Sequence, residues 1–103
     1  MKIIQEISEM IDDELQGAEE YAKWALKLRE DNPGLANAFY DIANQEMNHV
    51  NILHEQVVRI IKMHREKNGE PSAVMMAVYD YLHKRHIEDL ADARRYQELY
   101  KTQ

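Results

Sequence analysis

Glu46 and His49 are three residues apart, a Glu-x-x-His pair in a segment whose other periodic positions are mostly apolar. On a helix, residues three apart project from one face. A carboxylate and an imidazole placed in this way can grip one first-row metal ion, such as iron, manganese or zinc. The same pair also occurs on solvated helix surfaces, where it binds nothing. Here it interrupts an apolar stripe between Ile42 and Leu53. Glu14 likewise falls between Ile11 and Ala18, and Asp89 between Leu82 and Ala93, with His86 one turn earlier. A lone buried carboxylate is costly, so such groups are normally paired, protonated or metal-bound. An acid at the middle of each of three stripes predicts one shared polar layer, with Glu14, Glu46, His49, His86 and Asp89 as its candidate ligands.

The elements that must position these residues are helices. Two clusters of turn-forming residues, Asp31-Asn32-Pro33-Gly34 and Asn68-Gly69-Glu70-Pro71-Ser72, divide the chain. Each contains a proline that resists continuing the preceding helix. Between them the apolar period is helical throughout. The pattern predicts a single all-α domain over 1–103, with helices over about 2–31, 35–67 and 72–101. In the first, the stripe runs Ile4, Ile7, Ile11, Glu14, Ala18, Tyr21, Ala25, Leu28 in steps of three and four. In the second it runs Phe39, Ile42, Glu46, His49, Leu53, Gln56, Ile60, and in the third Val78, Leu82, Arg85 or His86, Asp89, Ala93, Tyr96, Tyr100. Short connections make sequence neighbours antiparallel. The second helix carries a further stripe, Leu35 or Ala36, Ala43, Met47, Val50, Val57, Ile61. A helix apolar on two sides has neighbours on both, so this stripe is expected to meet a second copy of the chain.

Composition narrows the function classes. Hydrophobic residues make up 45% of the chain and charged residues 31%, a globular balance rather than a disordered one. The formal net charge is −6 and no basic patch stands out, which argues against a nucleic-acid partner. With no cysteine there are no disulfides, thiolate metal sites or cysteine nucleophiles. No segment approaches the length of an apolar membrane span. The first residues turn acidic at once and carry no apolar run of signal-peptide length, so a cytoplasmic protein is expected. No serine-histidine-acid set, phosphate loop or dinucleotide fingerprint is present.

These residues resemble the ferritin-like superfamily, rubrerythrin and bacterioferritin in particular. That family draws one Glu from each of two helices and a Glu-x-x-His from each of the other two. In it the first-helix Glu is commonly followed seven residues on by a Tyr, and Glu14 and Tyr21 have that spacing. The stretch Ala36 to His49 is similar to the second helix of the rubrerythrin bundle. The third helix matches less well. His86 to Tyr96 overlays Ile11 to Tyr21 without a gap, which sets Asp89 against Glu14 and makes His86 a substitute ligand. The chain departs from the family in having no fourth helix, no second Glu-x-x-His and no cysteine for a rubredoxin-like centre.

The resemblance implies an antiparallel ferritin-like bundle completed by dimerisation or higher self-association. It also implies a di-iron site, with manganese or zinc as alternatives. The activities implied are ferrous iron oxidation, iron handling or peroxide reduction, so an enzyme of this chain would be a ferroxidase-like oxidoreductase. The rival expectation is a non-catalytic structural or interaction protein whose buried polar layer fixes helix register. Glu20 competes with Glu14 on turn geometry, because Glu20 and Glu46 are equally far from Pro33, but it lies off the stripe. His54, His64 and His83 are expected at the surface. Met75 and Met76 are expected to pack, and Trp24 to anchor a core or interface.

Overall fold

A computed structural model describes residues 1–102. It contains α1 (Lys2–Leu28), α2 (Pro33–Asn68) and α3 (Ala73–Thr102), and no strand among the described residues. The molecule is an elongated all-α three-helix bundle measuring 55 × 18 × 17 Å. None of its helices is long and apolar enough to cross a membrane.

The helix ends follow from the breaker clusters. Pro33 stands at the first turn of α2, where a missing N–H is harmless, and Asn32 caps it by accepting the Leu35 N–H at 3.3 Å. Residues expected to end the first helix thus begin the second, and α1 stops at Leu28 rather than near residue 31. Gly69 closes α2 with φ +81, a conformation that disfavours side chains, and its N–H returns to the Arg65 carbonyl at 2.9 Å. The Ser72 hydroxyl accepts the Met75 N–H at 3.1 Å, so α3 also starts on a side-chain cap.

α1 is the common neighbour of the other two helices, which hardly touch each other. Its buried face is Ile4, Ile7, Ser8, Ile11, Leu15, Ala18, Ala22 and Ala25. Ile7, Ile11 and Leu15 meet Val50 of α2, with Leu53, Val57 and Ile60 of α2 and Leu90 of α3 packed around them. Further along, Ala18 of α1, Met47 of α2 and Ala93 of α3 form the second cluster. The alanines there are fully buried, and their small size lets the three backbones come close. α2 and α3 meet at one end, where Gln97 Nε2 donates to the Tyr40 carbonyl and to Asn44 Oδ1, both at 2.9 Å. Tyr40 and Tyr100 stack beside them at 4.8 Å.

One expectation needs correcting. The second stripe of α2 was expected to meet a partner chain, yet Ala36, Ala43, Met47 and Val50 are all buried within this one. The reason is that this face of α2 is the one laid on α1: Val50 packs on Ile7, Ile11 and Leu15, and Met47 on Ala18, with Ala93 of α3 joining that second cluster. The stripe carrying Ile42, Glu46, His49 and Leu53 lies at the outer edge of the α1–α2 seam and is only partly covered.

The core assignment has a direct check in chemical denaturation. Ile11 is 1% exposed, so Ile11→Ala is expected to cost about 2–5 kcal/mol. Val74 is 74% exposed, and Val74→Ala is expected to change stability by less than about 0.5 kcal/mol.

Candidate metal centre

The α1–α2 seam brings together three of the five candidate ligands. One ligand atom from each of Glu14, Glu46 and His49 lies within 4.8 Å of the other two, and the group could hold a metal ion. The helical hairpin makes this possible. Glu14 belongs to the flank of α1 that also carries Met10, Gly17, Tyr21 and Trp24, in steps of four, three, four and three. Glu46 and His49 rise from the facing edge of α2. Tyr21 packs on Phe39 two turns from the acids, ring centroids 5.5 Å apart, and ties the two helices together there.

His49 Nδ1 is 3.2 Å from Glu14 Oε2. The two carboxyl groups are close enough to share a proton. Hydrogen bonding to Glu14, then burial and the Glu14 charge, push Glu46 up to about 7, while the nearby His49 pulls the other way. Glu14 is held below the usual carboxylate range by the hydrogen bond from Glu46, with His49 assisting and burial opposing. The pair therefore keeps one proton to about neutrality and behaves as a unit. A cation between the oxygens would replace that proton.

Gly17 is the residue that sequence reasoning did not single out. A Cβ at this position would lie 3.2 Å from Glu46 Oε2, so the absent side chain is what lets the Glu46 carboxyl lie against α1. An isolated glycine inside a helical apolar pattern was the available signal, since such a glycine usually has a packing reason.

His86 and Asp89 stand apart from this group. Because α3 packs on the other side of α1, His86 Nε2 meets Asp12 Oδ1 at 3.0 Å, and Arg85 Nη2 reaches both Asp12 oxygens at 2.7 and 2.6 Å. Burial lowers the His86 pKa, against the pull of Asp12. Burial raises Asp89, with Arg85 opposing. Asp12 carried no sequence signal of its own, being the first of three consecutive acids, Asp12-Asp13-Glu14. Glu20 is exposed and accepts from Gln16 Nε2 at 3.3 Å, so Glu14 is the acid that α1 brings to the cluster. His83 is exposed, as expected, whereas His54 is half-buried, and their rings stack at 4.6 Å. His64 bonds Asn68 at 3.2 Å. Met75 and Met76 are half-buried, as expected of packing residues, whereas Trp24 is 47% exposed and belongs to no core. Comparison with protein-family models, with curated proteins and with solved structures gives no match to this chain.

Two outcomes test this geometry. Glu46 has a folded pKa above its unfolded value, so it contributes stability below about pH 4.5 that is lost as pH rises to about 7. Glu14, whose pKa is lowered, acts in the opposite sense and only at more acidic pH. Glu46→Gln is therefore expected to melt above the parent at pH 8, by an amount on the order of 1 kcal/mol after solvent screening, and to match it near pH 4. Thermal scans across that range check it. Gly17→Ala is expected to stabilise the metal-free chain by about 0.5–1 kcal/mol through helix propensity, because the crowded Glu46 carboxyl can swing aside. The same change is expected to weaken metal uptake, read by calorimetric titration.

Proposed function

We propose that this chain is a ferritin-like metal-binding protein in which Glu14, Glu46 and His49 hold iron or manganese. The reading rests above all on the convergence of those three side chains within 4.8 Å. Two carboxylates and one imidazole suit such ions, and three donors leave coordination positions open for further ligands. Bound iron would supply one-electron chemistry toward dioxygen or peroxide. The chain's own residues would bind the ion and release the carboxyl proton on loading. Ferrous iron oxidation or iron storage fits this donor set best.

Self-association belongs to the same proposal. Three ligands are half of the six that the ferritin-like pattern requires, and a second copy related by a two-fold axis would supply the other half. The outer flank of the seam supports this. Ile3, Met10 and Trp24 of α1 and Leu35, Ile52 and Met63 of α2 are large, apolar and exposed. On α2, Leu35, Ile42, His49 and Met63 recur at multiples of seven residues, so apolar positions and a ligand share one edge. Burying six such side chains from each copy could contribute on the order of 10 kcal/mol, before the cost of association. The partner surface is thus this flank and not the inner stripe of α2.

The rival reading, a structural helical protein, draws on one observation. The Glu14–His49 bond and the shared carboxyl proton satisfy the cluster with no ion present. Metal titration separates the two. Under anaerobic conditions the parent chain is expected to take up ferrous iron or manganese, and the dimer fraction and melting temperature are expected to rise together. Glu46→Ala with His49→Ala is expected to abolish that uptake while the helical circular dichroism persists. Unchanged uptake in the double variant, or a monomer unaffected by metal, would support the structural protein.

A further inference from the structure

At the end opposite Gln97, α2 and α3 diverge and leave a cleft of about 490 Å³ floored by Ile4, Ser8 and Ile11 of α1. An adjoining hollow of about 220 Å³ shares Ile11, His54, His83 and His86 with it. Three of the five histidines of the chain therefore stand at one junction, on the far side of α1 from Glu14. His83 and His86 are three residues apart on α3 and project from one face, while His54 meets them from α2.

We propose that His54, His83 and His86 form a second metal site, for divalent ions that favour nitrogen donors: zinc, copper or nickel. Two further observations carry it. Asp12, an acceptor when ionised and held by Arg85, takes the Nε2–H of His86, which leaves Nδ1 as the ring's lone-pair nitrogen. Metal-binding histidines are oriented in this way by a carboxylate behind the ring. His54 is half-buried, yet among the described residues neither it nor His83 makes a hydrogen bond to another protein group; their contact is the ring stack.

Coordination of one ion by all three rings requires the His54–His83 stack to part by side-chain rotation. His83 is exposed and free to make that movement. Tetrahedral zinc takes three imidazoles at about 2.0–2.1 Å and keeps a fourth position, which here would open onto the apolar cleft. The two sites differ in kind. The seam offers mostly oxygen, for iron or manganese, and the cleft offers nitrogen alone, for later metals of the row.

The experiment uses Glu46→Ala with His49→Ala, so that its result does not depend on the seam site. Zinc is titrated against a chromogenic chelator, and cobalt is used to read tetrahedral coordination by its visible absorption. One zinc per chain is expected, with affinity falling at least about tenfold on adding His83→Ala and unchanged on adding His64→Ala. No zinc uptake by the helical double variant overturns the proposal, as does uptake that survives His83→Ala or disappears with His64→Ala. If the double variant loses its helical circular dichroism, His83→Ala is made in the otherwise unaltered chain. There zinc stoichiometry is expected to fall by one per chain with manganese binding intact, and an unchanged zinc count overturns the proposal.

Discussion

Two carboxyl groups facing each other across a helical hairpin are the constraint around which the rest of this molecule is arranged. Glu14 and Glu46 would repel if both were ionised, and each is partly shielded from water at the seam. The structure relieves the conflict with one shared proton, a histidine at 3.2 Å and a glycine that leaves room for the second acid. Each relief is also compatible with a cation site: the proton is displaceable, the imidazole can act as a donor, and the space at Gly17 seats the second carboxyl. The rest of α1 and α2 serves to keep the acids level, through the alanine contacts on one side and the Tyr21–Phe39 pair on the other.

The helical character was legible because breakers are few and apolar steps of three and four recur without interruption. The Glu14, Glu46 and His49 grouping was legible for a related reason. A charge that interrupts a stripe must find a partner, and the hairpin turn at Asn32-Pro33 sets which turns of α1 and α2 face each other. The flank taken by α3 was not legible. Asp89 mirrors Glu14 in the sequence, and the periodicity alone places both toward a common axis. Ala93 instead meets Ala18 and Met47, and Asp12 draws Arg85 and His86 to the opposite side of α1. That choice depends on three-body packing, which no single helix encodes. The two α2 stripes also exchange roles, because the presumed partner surface is the face laid on α1.

With α3 on one flank, α1 separates two chemically distinct surfaces. The outer flank combines the Glu14 and Glu46 carboxyl groups with exposed Met10, Trp24 and Ile52. The inner cleft combines imidazoles with aliphatic walls and is reached from solvent between α2 and α3. Asp12 and Glu14, two residues apart, face these different sides because a helix turns by about 200° over two positions. A chain of 103 residues thereby places a carboxylate-rich group and a histidine-rich group on opposite sides of α1 without either one interrupting the Ile11–Leu15–Val50 core.

The central claim is that Glu14, Glu46 and His49 are ligands and not merely partners of one another. Anomalous diffraction from crystals grown with manganese or, anaerobically, ferrous iron tests it most directly. The account predicts an anomalous peak about 2.0–2.3 Å from oxygens of Glu14 and Glu46 and from a His49 ring nitrogen, with the same residues of a second copy on its far side. A map with no peak at the seam, and with His49 still bonded to Glu14, would contradict it.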